Sequence, residues 1–220
     1  MNSLAWLNDR IIEAAQAVLR KQSQVPGFQD ICLGMMMTFQ IQRQPFVQIL
    51  HDGHGHWLTI SSIGGKPGNT DISVYDSMYL SGGSYAKKQI AAIVCSKENT
   101  ITLNMRNVQL QAGGSDCGVF AIAFATALAS NINPCECCFK QDAMRDHLQR
   151  CLESGKLTMF PLVKHRMPRK IVWHVDIIEL YCSCRMPEVP PMVERSRCKE
   201  WYHIKCVSAL NQKSTGEPKY

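Results

Sequence analysis

The residue pattern predicts an α+β domain in which helices flank a mostly antiparallel sheet, and three observations carry it. Apolar residues at helical spacing open the chain, short alternating β-rich runs fill its middle, and a wholly apolar stretch follows a glycine-rich turn near residue 115. In order, Leu7, Ile11, Ile12, Ala15, Val18 and Leu19 mark one face of a helix over residues 9–21, with Asn8 or Asp9 placed to cap it. Phe46-Val47-Gln48-Ile49-Leu50 and Trp57-Leu58-Thr59-Ile60 read as strands around the turn Asp52-Gly53-His54-Gly55, so His56 stands at a strand start. Ile72 and Val74 alternate with polar neighbours up to Tyr75-Asp76, so Asp76 ends a strand. Ile101, Leu103 and Met105 alternate in the next run, and residues 86–95 between them read as a helix. Gly113-Gly114-Ser115 makes a loop into the apolar helix that begins at Cys117, and Met144, His147, Leu148 and Cys151 mark a last helical stripe.

Composition excludes several classes. The chain has 220 residues and 45% hydrophobic content, enough for one ordinary core and a small appendage. Eleven cysteines without a charged-then-apolar leader point to a reducing compartment, nucleus or cytoplasm, rather than to a disulfide framework. The most apolar stretch, Cys117–Ala129, is 13 residues long, short of the roughly 20 that span a bilayer, so no membrane partner is expected. The net charge of +6 is uneven: residues 1–165 carry 14 Lys+Arg against 12 Asp+Glu, and residues 166–220 carry 10 against 6. The tail's basic residues are scattered without a cluster, so they read as a solvated surface and nucleic acid is not an expected partner.

The chemistry-bearing residues are those a thiol nucleophile needs. A cysteine at a helix start gains from the unpaired amides and the positive dipole end there, and a neighbouring imidazole can take its proton. Cys117, between Asp116 and Gly118, is placed for the first effect. A histidine near residue 56 and an acid at Asp76 could supply base and orienting group, and Gln111, six positions before Cys117, could offer an amide to an oxyanion. His51 and His54 compete with His56 on residue type alone, and Asp76 could be a simple turn aspartate.

Taken together and in order, Trp6-Leu7-Asn8-Asp9, His56-Trp57, Tyr75-Asp76-Ser77 and Gln111 six before Asp116-Cys117-Gly118 resemble the ubiquitin-like-modifier protease (Ulp/SENP) family. The resemblance runs from about residue 5 to about residue 163. It implies a cysteine protease fold related to papain's, with a central mixed sheet flanked by helices, over residues 1–165. It selects His56 as base, Asp76 as its orienting acid, Cys117 as nucleophile and Gln111 as oxyanion donor, with no cofactor for catalysis. It also implies a substrate, a ubiquitin-like modifier or its conjugates, with SUMO the first expectation. Trp6 and Trp57 would clamp the Gly-Gly terminus, which only glycine fits, and Asp9 would contact the modifier surface. The alternative for the two indoles is a hydrophobic staple at Trp6 and a core aromatic at Trp57.

The tail resembles the beginning of a PHD finger. After a linker over 166–180, with the basic segment Arg166-Met167-Pro168-Arg169-Lys170, residues 181–220 carry Cys182, Cys184, Cys198, Trp201, His203 and Cys206. The resemblance assigns Cys182, Cys184, His203 and Cys206 to one zinc ion, with Trp201 as the main core aromatic. The second zinc site lacks a cysteine where Arg195 stands and lacks a further C-x-x-C pair, so a degenerate remnant is expected. A second cluster, Cys135-Glu136-Cys137-Cys138 with His147 and Cys151, reads as packing before metal. Three functions stay open on the sequence: an isopeptidase, an acyltransferase on the same triad, and an inactive, transposon-derived interaction protein.

Overall fold

The computed structural model describes residues 5–66, 68, 70–78, 83–163, 174–196 and 198–207. The basic segment 166–170 lies outside them, as do 208–220 of the tail. The α+β expectation holds: a five-stranded mixed sheet is covered by helices on both faces, with a small two-stranded sheet in the Cys/His-rich tail.

Helix α1 runs Asp9–Gln22, capped by Asn8, whose side chain accepts the Ile11 amide at 3.1 Å. A short helix α2 follows at Ile31–Met35. Strands β1 (Val47–His51), β2 (Trp57–Ser61) and β3 (Asp71–Tyr75) pair antiparallel in sequence order. Helix α3, Ser84–Val94, then crosses over, so that β4, Thr100–Met105, joins β3 in parallel. The chain continues through α4 (Cys117–Ala129), a 3-10 turn at Pro134–Glu136 and α5 (Gln141–Ser154).

Alternation along the strands sets two cores. Val47, Ile49 and Trp57 join the core formed with α1, α4 and α5, while Leu50, Leu58 and Ile60 join the core formed with α3. Thr59 faces α4, donating its hydroxyl to the Ala121 carbonyl at 2.7 Å. Helix α4 is apolar on every face because it is buried on every face, from Cys117 to Leu128. Three buried glutamines lock α1 to β1: Gln48 donates to the Gln16 side chain at 3.0 Å, and Gln16 in turn donates to the Gln29 carbonyl at 2.9 Å. With every member partnered, such a network fixes position as well as adding stability.

The linker expectation over 166–180 needs correction. Residues His174–Glu179 form β5, the outer strand of the same sheet, antiparallel to β4 in a register that pairs Ile101 with Ile178. Ile178 and Leu180 are buried in the α3-side core, which is why this stretch pairs rather than spans. It was illegible as a strand because Ile178 alone of its six residues is buried. Beyond it, β6 (Met192–Glu194) and β7 (Trp201–His203) make an antiparallel hairpin. Trp201 does not fill a core as expected: it is 46% exposed, and Leu180, Cys182 and His203 are the buried side chains at this end.

Candidate active site and candidate metal centre

The turn between β1 and β2 delivers His56. Asp52 accepts the His54 and His56 amides at 2.7 and 2.9 Å, an Asx-type turn that fixes where the next strand begins. Asp76 follows the last residue of β3 and accepts the Met78 amide at 2.8 Å. The two side chains meet: His56 Nε2 lies 2.8 Å from Asp76 Oδ1, both well buried. His51 and His54 do not compete for this position, since His51 packs edge-on against Trp57, with ring centres 4.6 Å apart, and His54 is exposed in the turn.

The second side chain acting on the imidazole is Cys117, the first residue of α4 and only 2% exposed. Burial opposes charge on the His56 ring, but hydrogen bonds to Asp76 and Cys117 and their negative charge outweigh it, raising the ring from 6.5 to about 9. The folded state therefore holds this proton more tightly than the unfolded chain does. The resulting stabilisation is complete below pH 6.5 and is lost as pH rises through about 9. In thermal melts, the advantage of the native protein over His56→Gln is expected to be larger at pH 6 than at pH 9.5; an equal gap at both would contradict the charged pair.

Gln111 is drawn to the same place by Ser77, the neighbour of Asp76. Its amide N–H donates to the Ser77 carbonyl at 2.9 Å, and its Oε1 accepts the Ser77 hydroxyl at 2.8 Å. The Nε2 donates to the Gly113 carbonyl at 2.9 Å, at the head of the loop into Cys117. Ser77 is the site residue that residue-type reasoning gave no role; its only signal was its place beside the acid.

Two glycines let the tryptophans approach. Gly55 has φ +95°, and a Cβ there would stand 2.5 Å from the Trp6 ring, so the exposed Trp6 indole lies directly over the residue before His56. At Gly118 a Cβ would meet Leu7 at 3.0 Å and Trp57 at 3.2 Å. Trp6 is 60% exposed, whereas Trp57 is 6% exposed and donates its indole N–H to the Leu7 carbonyl at 3.1 Å. Trp57 thus belongs to the core and also ties down the segment bearing Trp6. Asp9 lies exposed in the first turn of α1.

In the tail, Cys182, Cys184, His203 and Cys206 converge, their ligand atoms all within 4.8 Å of one another. His203 Nδ1 lies 3.2 Å from the Cys184 sulfur, while its Nε2 lies 3.0 Å from the Pro187 carbonyl, the second contact that orients a ligating imidazole. Burial resists ionisation of Cys182, but backbone amides of Cys184 and His203 bring it down to about 6. Burial, followed by hydrogen bonds to Cys182 and Cys184, pushes Cys206 up to about 12. Three sulfurs and one imidazole gathered this closely fit the donor set of tetrahedral zinc. Among the described residues this is the one such cluster; Cys135, Cys137 and Cys138 do not gather with His147 and Cys151. Cys151 instead is buried in the core, its sulfur 3.4 Å from His147 Nε2 one turn earlier on α5.

No protein-family profile matches the chain. The fold is similar to that of the SUMO protease Ulp1 with its catalytic cysteine oxidised to a sulfenic acid, at TM-score 0.50 and 16% identity over 70% of this chain and 81% of that one. A second structure, the C-terminal Ulp1 protease domain in complex with Smt3, the yeast ortholog of SUMO, superposes at TM-score 0.49 and 17% identity over 68% of this chain and 77% of that one. The chain has the Ulp/SENP-type protease fold. Among sequence relatives, the multicopy suppressor of chk1 protein 1 of Schizosaccharomyces pombe is 42% identical over 40 residues, 18% of this chain. The chain spans 2% of that relative's length. Among the described residues no helix is long and apolar enough to cross a membrane.

Proposed function

We propose that this chain is a cysteine peptidase that cleaves after the Gly-Gly terminus of a ubiquitin-like modifier, with a SUMO-like modifier the first candidate. The observation that carries this reading is the buried Asp76–His56 pair set against Cys117 at the opening of α4. An imidazolium held beside a sulfur is the charge arrangement a thiolate nucleophile uses.

In this mechanism the Cys117 thiolate attacks the carbonyl carbon of the terminal glycine. The carbonyl electrons move onto oxygen, and the Gln111 amide and the Cys117 backbone N–H donate hydrogen bonds to the oxyanion that forms. As the tetrahedral centre collapses, the His56 proton passes to the departing lysine or peptide amine. The acyl thioester left on Cys117 is then attacked by water, whose proton His56 takes, and the thiolate is released. Asp76 holds the ring tautomer and orientation throughout.

Trp6 over Gly55, with Trp57 behind it, supports a substrate whose end is no thicker than glycine. Asp9, exposed beside them, is the proposed contact with the body of the modifier. Kinetics on modifier–aminomethylcoumarin substrates test this assignment. Gly55→Val pushes the Trp6 ring aside and strains a left-handed turn, so KM is expected to rise about tenfold while kcat changes less. An unchanged KM would remove Trp6 from the substrate path.

The metal centre is proposed as one zinc ion on Cys182, Cys184, His203 and Cys206. Zinc there supplies structure, since all four positions of a tetrahedral ion are filled by protein. Leu180, two residues before Cys182, is buried against the sheet, so the centre is anchored to the peptidase core through β5.

A further inference from the structure

We propose that Arg145 and Gln141 of α5 are positioning residues for Cys117, acting by holding the Asp116 carboxylate away from the amides that open α4. The inference rests on the peptidase reading above and names a regulator of its nucleophile.

An aspartate at a helix start ordinarily turns its carboxylate back onto the amides two or three residues ahead. Asp116 occupies that position before α4 yet makes no such bond. Its Oδ1 instead accepts Arg145 Nε at 2.7 Å, and its Oδ2 accepts Gln141 Nε2 at 2.6 Å. Arg145 Nη2 also donates to the Ser115 carbonyl at 2.8 Å. Gln141 holds both ends of the Ala112 peptide, its Oε1 accepting the Ala112 amide at 2.9 Å and its Nε2 donating to the Ala112 carbonyl at 2.8 Å. Residues 141 and 145 lie one helical turn apart, so a single face of α5 grips the loop from 112 to 116. The ion pair is largely shielded from solvent, Arg145 being 9% and Asp116 16% exposed, so salt weakens it little.

Two consequences follow for the nucleophile. The negative charge closest to Cys117 in sequence is neutralised and turned towards α5, which leaves the amides at the opening of α4 to act on the sulfur and on a developing oxyanion. The loop joining Gln111 to Cys117, the two proposed oxyanion donors, is also held at fixed length. The charged and titratable groups on the elements around Cys117 include His56 at the start of β2, Tyr75 and Asp76 at the end of β3, Asp116 itself, and Arg145 and the buried Cys151 on α5. From the turn packed against α4 come Glu136, exposed, and Cys135 and Cys137. Helix α1 presents Ile12, Ala15 and Leu19 to this core, none of which titrates.

The test is the pH profile of Cys117 carboxamidomethylation by iodoacetamide, read on the Cys117 peptide because ten other cysteines are present. It is run on the full chain as wild type, Arg145→Met, Arg145→Lys and the double variant Arg145→Met/Asp116→Ala, each checked by thermal melting. Arg145→Met is expected to move the midpoint up by about one pH unit, because the freed carboxylate returns to the α4 amides. Arg145→Lys, which keeps a cation, falls between it and wild type. The double variant, having no carboxylate to return, regains the wild-type midpoint; a merely mechanical brace would leave it as impaired as the single variant. An unchanged midpoint in folded Arg145→Met, or failure of the double variant to recover, overturns the inference. Should Arg145→Met not fold, Gln141→Leu frees one carboxylate oxygen and must show a smaller upward shift; no shift there overturns it too. A wild type that shows this alkylation pattern but takes no modifier probe defeats the substrate reading alone.

Discussion

Cys117→Ala is expected to abolish turnover of a modifier–aminomethylcoumarin substrate, and His56→Ala to lower kcat by roughly 10⁴-fold or more, with the fold intact in both. The size follows from roles that act as one unit. Without His56 the thiol has no acceptor for its proton and the leaving amine no donor, so both halves of the reaction fail together. Gln111→Ala removes one donor of two and is expected to cost about 10²–10³ in kcat with KM little changed. Steady-state kinetics beside circular dichroism check these values. A His56→Ala protein retaining more than about a tenth of wild-type kcat would point to another base, and nothing else in the described site offers one.

Protein purified without chelator is expected to carry about one zinc per chain by plasma emission, falling to background in Cys206→Ala and in Cys184→Ala. Structural zinc supplies on the order of 10 kcal/mol to small domains, so its removal is expected to release the β6–β7 hairpin and fray the end of β5 next to Cys182. Hydrogen exchange should report the change as lost protection over β6 and β7, with β1 to β3 unaffected. Strands β3 and β4 separate β5 from the strand that begins after His56, so kcat is expected to change by less than about threefold. Zinc-free protein with wild-type protection in the hairpin would show that the Cys/His cluster folds without metal.

Much of the candidate site was legible because its residues sit where chain direction changes. Asp52-Gly53 announces the turn that presents His56, Asp76 ends an alternating run, and Gly113-Gly114 precedes an apolar helix whose first residue is the thiol. The β-rich runs of β1 and β2 were equally plain, since both faces of each strand are buried and both carry apolar residues. What stayed hidden is relational. Ser77 matters through its contact with Gln111, thirty-four positions away, and no local pattern encodes that. Arg145 carried no signal in the sequence, yet it is buried against Asp116, and only tertiary packing makes it more than a solvated charge. Strand β5 carries Val175 and Ile177 on an exposed face, so its alternation pointed outward rather than to a core. Trp201 was expected in the core of the finger-like tail from the resemblance, and the residue type does not say which way its strand faces.

The most direct test of the central claim is intact-mass analysis after incubation with a panel of ubiquitin-like modifiers bearing an electrophile beyond Gly-Gly, on wild type and Cys117→Ala. The account predicts a single covalent adduct with one modifier, absent in Cys117→Ala and mapped to the Cys117 peptide. Well-folded wild-type protein that forms no adduct with any modifier, or forms one equally without Cys117, would contradict it.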